Sequence, residues 1–419
     1  MMSNGNLEDL CSSKRARHGF VRILLALCLS VLAWLLCPGD AATVSQKLPQ
    51  APQGEVSALM AVLETQLRHK QSTAAQQSAQ KLANLLSPSD PRFFQLASLC
   101  AIHGDYATAI PLMERVRAAF PQSYDVSYNL SLAYLRSKNH AKAAQALQGL
   151  VKQHPRAETY NLLAIVQEER RHYLEAVRAF QKAAELEPGN ENYRFDYAYE
   201  LLKHKTDRAA VAIFASGVRD FPRSLKLHLG LGCTYFVVGK QEEAAETLLQ
   251  AIKIAPDNRL AYLLLGKTYE QAGSFRGAVA EALRAYLEKL PKDPWAHYHY
   301  ARILFMDAQS ASKPDFQAAK AHLQRALSLN PRFAEAYVDI AIILQTEDQN
   351  RESLPFLNHA IQSNPKLGSA HYRLGVAYRR LGERDKAAAE FALSEKLNSD
   401  DQAGREKRNV IQFLIEQVK

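Results

Sequence analysis

Apolar residues recur along most of the chain at helical spacing, three and four positions apart, and alternating apolar–polar runs are almost absent after residue 55. Alanine, leucine and glutamate dominate these stretches, so the pattern predicts helices one after another. A longer period overlies the short one. Pro88, Pro121, Pro155, Pro188, Pro222 and Pro256 are separated by 33, 34, 33, 34 and 34 residues, and Pro291, Pro331 and Pro365 follow after gaps of 35, 40 and 34. Twelve residues before each proline stands an alanine: Ala109, Ala143, Ala176, Ala210, Ala244 and Ala319. Ala278 precedes its proline by thirteen, Ser353 takes the place before Pro365, and Ala387 keeps the count to Ser399. Twelve residues further upstream a small residue returns, at Ala97, Ser131, Ala164, Ala198, Gly232, Gly266, Ala341 and Gly375. In the long unit Ala301 and Ala319 are 18 apart, which places six inserted residues around "DAQSASKPD".

The double period has a mechanical cause. Two antiparallel helices approach closely only where each offers a small side chain, and the paired small residues provide that crossing. Proline cannot continue a helix, so it closes each unit and sets an extended link to the next. Aromatics such as Tyr160, Phe180, Tyr235, Tyr262, Tyr269, Tyr337, Tyr378 and Phe391 fill the space around the small pair.

"AETYNLLAIVQEERRHYLEAVRAFQKAAELEP" (157–188) and "RLAYLLLGKTYEQAGSFRGAVAEALRAYLEKLP" (259–291) resemble tetratricopeptide repeats. Ten units are expected, near 57–88, 90–121, 124–155, 157–188, 191–222, 225–256, 259–291, 294–331, 334–365 and 368–399. The resemblance implies an all-α fold, an α-solenoid wound as a right-handed superhelix of stacked antiparallel helix pairs. The first unit is degenerate, with Gln76 where alanine is expected, and reads as an end cap; residues 400–419 read as a C-terminal capping helix.

The N-terminus has a different character. The basic run "KRARHGFVR" precedes "ILLALCLSVLAWLLC", and "PGDAAT" follows with a helix breaker and small residues. This order describes a secretory signal peptide over residues 1–41, cleaved after Ala41, with a linker over 42–55. Its alternative is a retained inner-membrane anchor spanning residues 21–37. Both place the repeats, at 56–399, in the periplasm or cell envelope of a bacterium. Leu36 before Cys37 is a poor lipoprotein signal, and "KRAR" a poor twin-arginine one.

Composition changes this picture little. A hydrophobic fraction of 47% and a charged fraction of 23% are ordinary for a globular chain. The net charge is +9, and without residues 1–41 (four basic, three acidic) it is +8. So mild a bias over this length does not imply nucleic acid, and export argues against it. Cys11, Cys28 and Cys37 lie in the leader, leaving Cys100 and Cys233. These are four repeats apart, at about 8–10 Å per stacked helix. A disulfide needs Cα atoms within about 7 Å, so the two are expected to remain unpaired.

Candidate chemistry is sparse. "GLGCTYFVVGK" (230–240) looks like a phosphate loop, but six residues separate Gly232 from Gly239 and Gln241 follows Lys240, against four and a Ser or Thr in the phosphate-binding pattern. Gly232 is instead a helix crossing, and Gly239, like Gly104, Gly273 and Gly382, a left-handed turn. His297 and His299 point to different helix faces, and "LKHKTD" around His204 reads as a solvated turn, so no metal or cofactor site is expected. No catalytic motif is found, which makes an enzyme an unfavoured reading.

Function is therefore expected at a surface. In tetratricopeptide proteins the first helices line a concave groove for peptides or helices. The residues expected there are Phe94, Tyr128, Asn161, Phe195, Tyr199, Phe236, Trp295, Tyr298, Arg302, Phe305 and Tyr372. Trp295, Tyr298, Arg302 and Phe305 form one helical stripe of types that often anchor interfaces. A basic patch with Arg373, Arg379, Arg380, Arg384 and Lys386 suits an acidic segment. The expected function is a non-catalytic protein-binding scaffold; the alternative is a membrane-anchored assembly factor for pilus, secretion or polysaccharide export machinery.

Overall fold

The computed structural model of the protein describes residues 53–398. The expected leader and C-terminal capping helix, and the linker up to residue 52, lie outside the described residues. Among these residues there are twenty α-helices and no strand, arranged as ten hairpins.

Two compact units divide the chain, with the break after Ser87. The first holds one hairpin, α1 (Gln53–Arg68) and α2 (Ser72–Leu85). Pro88 and Pro91 follow the break, and neither can extend a helix from before it. The second unit stacks the other nine pairs: α3 (Pro91–Ile102) and α4 (Tyr106–Ala119), α5 (Tyr124–Arg136) and α6 (His140–Gln153), α7 (Ala157–Glu169) and α8 (Tyr173–Leu186). Next come α9 (Glu191–Lys203) and α10 (Asp207–Asp220), α11 (Leu225–Val237) and α12 (Gln241–Ile254), α13 (Arg259–Thr268) and α14 (Arg276–Lys289). The last are α15 (Pro294–Gln309) and α16 (Gln317–Leu329), α17 (Ala334–Thr346) and α18 (Asn350–Ser363), α19 (Gly368–Arg380) and α20 (Arg384–Asn398). Within this unit each second helix packs on its own first helix and on the first helix that follows.

The small-residue pairs stand where the spacing put them. Ala97 with Ala109, Ser131 with Ala143, Ala164 with Ala176 and Ala198 with Ala210 are all fully buried. At Gly232 an added Cβ would come within 2.8 Å of Leu248 on α12, so the second helix fills the space a side chain would need. One register differs from expectation. Ala278 is exposed and Val279 is buried at the crossing. The seventh repeat carries its extra residue in the turn, where α13 loosens into two 3-10 turns, Tyr269–Gln271 and Gly273–Phe275, before α14 begins.

Turns and caps follow the same period. Gly104, Gly239, Gly273 and Gly382 are left-handed, with φ of +81°, +84°, +55° and +84°. Lys70, Lys138, Arg171, Lys205 and Asp348 adopt that conformation at the equivalent turns, where it strains a side chain. Two residues after the repeat prolines, Ser123, Asn190, Ser224, Asn258 and Asp293 cap the next first helix by accepting from its backbone N–H groups. Such a cap contributes about 1 kcal/mol.

Cys100 and Cys233 are free and buried, and burial pushes both thiols up to about 12, which leaves them as unreactive core residues. Among the described residues no helix is long and apolar enough to cross a membrane.

Candidate binding face

Because equivalent residues are about 34 apart, a side chain on one first helix meets its counterpart on the next. Contacts of this kind run along the second unit. Asn161 Nδ2 donates to Asp196 Oδ2 at 3.0 Å, Lys226 reaches Asn192, and Arg302 pairs with Glu270. Arg380 Nη1 donates to the Gln345 carbonyl at 2.6 Å. The first helices therefore carry a series of polar contacts between neighbours, with exposed apolar side chains at Ile102, Ile165 and Tyr372.

The expected groove residues divide between this surface and the core. Tyr372 is 49% exposed, and Arg302 and Arg379 are exposed. Arg373 is half-buried; its guanidinium lies 5.9 Å from the Tyr372 ring centre and Arg379 lies 5.6 Å from that of Phe391. Neither arginine has an ion-pair partner among the described residues. Phe94, Tyr128 and Phe236 are half-buried, Tyr128 stacked on Tyr124 at 5.7 Å and Phe236 packed on the central core.

Three expectations are corrected. Phe195 and Tyr199 are buried and stack on each other at 6.1 Å, with Phe214 of the second helix edge-on to Phe195 at 5.6 Å. Tyr298 is buried against Phe333 of the next repeat at 4.9 Å. The stripe from Trp295 to Phe305 is mainly an inter-helix seam. Trp295 lies 4.3 Å from Phe333 and Phe305 lies 5.2 Å from Phe316, leaving only Arg302 of the four exposed. A first helix buries two faces, one on its own hairpin and one on its neighbours, and large aromatics fill both.

The region around Arg302 is electrostatically unusual. Arg302 Nε lies 3.8 Å from Asp339 Oδ2, a buried oxygen without a hydrogen-bond partner. Burial pushes the Asp339 carboxyl up to about 6, with Arg302 and the Tyr298 hydroxyl pulling it the other way. His299, 2% exposed, has neither ring nitrogen hydrogen-bonded, and burial holds it well below the usual imidazole range, so it is neutral. It packs where a Gly266 side chain would stand.

Two further groupings lay hidden in the sequence. His297 Nδ1 is 2.9 Å from His322 Nδ1 across the α15–α16 hairpin. His204 is not a solvated turn residue: its Nε2 lies 3.0 Å from Glu168 Oε2 and 3.2 Å from Glu200 Oε1, and its ring lies 4.1 Å from Tyr173. The signal for the His204–Glu168 contact is the repeat register, which makes first-helix residues near 34 apart into neighbours, whereas His297 and His322 meet within one hairpin.

Stacked hairpins carrying their variable polar and aromatic side chains on successive first helices define a helical-repeat protein, a class whose usual ligands are other proteins. Tetratricopeptide-repeat models match residues 101–165, 232–273 and 368–401, on the second to fourth, the sixth and seventh, and the last of these hairpins. The chain is a tetratricopeptide-repeat protein. It is 21% identical over 304 residues to the BBSome complex member BBS4 of Bos taurus, covering 73% of this chain and 51% of the relative. It is 21% identical over 365 residues to human tetratricopeptide repeat protein 16, covering 79% of this chain and 41% of that one. The chain thus spans about half, or less, of these relatives. Among solved structures, MamA aligns with 25% identity and a TM-score of 0.33 over 40% of this chain and 95% of that one. Yeast Tom70 aligns with 15% identity and a TM-score of 0.42 over 87% and 96%. A tetratricopeptide repeat protein from Parabacteroides merdae gives 14% and 0.49 over 62% and 98%.

Proposed function

We propose that the protein is a non-catalytic scaffold that holds a segment of a partner protein on its first-helix face, and that the last hairpin receives an acidic stretch of that segment. One observation carries this reading: α19 displays a half-exposed Tyr372 beside Arg373, with Arg379 against the neighbouring Phe391 ring, and neither cation has an ion-pair partner among the described residues. An aromatic near guanidinium groups that no ion pair holds suits a carboxylate-bearing segment, because arginine offers paired donors and tyrosine a large contact area at little entropic cost. Side chains already held by stacked hairpins lose little freedom on binding. The basic and apolar run within residues 1–41 supports export, with the repeats acting in the periplasm or cell envelope.

The test compares partner capture by the wild type, the double variant Tyr372→Ala/Arg379→Ala, and Leu174→Ala on α8, which is 59% exposed on a second helix. The double variant should lose about tenfold or more of the specific partner, as a hot-spot pair does, and Leu174→Ala should lose none. Equal capture by all three, or loss only with Leu174→Ala, contradicts the reading.

A further inference from the structure

We propose that Glu168, Glu200 and His204 form a binding site for a divalent transition-metal ion of the zinc type, which ties the first helices α7 and α9 together. Each residue contributes one ligand atom, and the three lie within 4.8 Å of one another. Bonds of about 2.0–2.2 Å in a tetrahedral zinc site put neighbouring ligand atoms about 3.3–3.5 Å apart. His204 Nε2 is already 3.0 Å from Glu168 Oε2 and 3.2 Å from Glu200 Oε1, so small outward shifts would admit an ion. Two carboxylates and one imidazole are a donor set that zinc accepts, with water completing the tetrahedron.

The placement has a second, independent mark. Glu200 is 2% exposed at a repeat position that the other first helices fill with residues such as Leu99, Val166, Ile303 and Ile343. A carboxylate at such a position costs several kcal/mol unless a positive charge answers it. Glu200 and His204 are four apart on one side of α9, and His204 is the C-cap of that helix. Glu168 lies in the last turn of α7, so two helix ends direct carbonyl dipoles that favour a cation toward the cluster. The Tyr173 ring backs the imidazole and fixes its plane. Without metal, the Lys203 ammonium pairs with Glu168 and His204 Nε2 lies within hydrogen-bond distance of both carboxylates. The ion would enter between these three groups, and Lys203, with 39% of its side chain exposed, would swing into solvent.

The full chain, stripped with a chelator, is titrated with zinc sulfate against a chromogenic competitor, and its melting temperature is followed with and without zinc. The wild type should bind one equivalent and melt higher with zinc. Glu200→Gln, nearly isosteric, should weaken binding at least about tenfold, and His204→Ala about 100-fold, both losing the thermal shift. Lys203→Met should bind as tightly or more tightly, because the competing ammonium is gone. Absence of a saturable site in the wild type overturns the proposal, as does undiminished affinity in both ligand variants. Weaker binding by folded Lys203→Met overturns the exchange of lysine for metal.

Discussion

Arg259 reaches across one repeat to Asp293, with Nε 2.5 Å from Oδ2 and Nη2 3.1 Å from Oδ1. Asp293 also caps α15 through the Trp295 and Ala296 N–H groups and accepts from the Tyr286 hydroxyl at 3.2 Å. One carboxylate thereby joins the cap of the eighth hairpin to the first helix of the seventh. Asparagine keeps the capping oxygen and removes the charge, so Asp293→Asn isolates the ion pair. The Asp293 side chain is 6% exposed and that of Arg259 31%, so the cost falls at the low end for a broken buried pair, about 3 kcal/mol in urea unfolding at pH 7.

The same carboxylate sets an acid limit. Burial raises Asp293, but Arg259 and the capping N–H groups outweigh it and hold the group below the usual carboxylate range. Its stabilisation is therefore present above about pH 4, the value of an unfolded aspartate, and is lost as pH falls through the lower folded value. The destabilisation caused by Asp293→Asn should accordingly shrink as pH falls from 5 toward 2. A difference that stays constant over that range contradicts this assignment.

Asp339 predicts the opposite slope. Its carboxyl is raised to about 6 by burial, so its contribution is full below about pH 4 and is lost as pH rises to about 6. Asp339→Asn should remove that loss and leave the protein about 1–2 kcal/mol more stable than wild type at pH 7, a discounted figure because the side chain is 21% exposed. Equal stability of the two proteins at pH 7 would mean that Arg302 already compensates the charge.

Packing at Gly266 is close to its limit. A Cβ there would lie 2.5 Å from His299 Cγ and 2.6 Å from His299 Cβ, atoms near the backbone of α15 that cannot simply rotate away. Overpacking should outweigh the better helix propensity of alanine, and Gly266→Ala should lose about 1–2 kcal/mol. The left-handed turns respond the other way. Lys138 and Arg171 sit at φ of +62° and +63°, and Lys138→Gly and Arg171→Gly should each gain about 0.5–1 kcal/mol. Thermal melts of the single variants check both signs.

The hairpins, their crossings and the glycine turns were legible because each follows from a local requirement repeated at a fixed period. The register of the seventh repeat was not. Counting twelve forward from Gly266 pointed to Ala278, whereas the extra residue is absorbed in a loosened turn and Val279, twelve before Pro291, takes the crossing. Phe195, Tyr199 and Tyr298 were misplaced because helical spacing marks which residues share a face, but not which of two buried faces that is. The Glu168–Glu200–His204 grouping depends on stacking register, a property of neighbouring hairpins that no single motif contains.

Site-specific photocrosslinking distinguishes a partner held on the first-helix face from one held elsewhere. A photoreactive residue is placed in turn at Ile165 and Tyr372 on first helices and at Leu174 on a second helix, all exposed positions. A partner on the first-helix face should crosslink from 165 and 372 and not from 174. Crosslinks confined to 174 would contradict that placement.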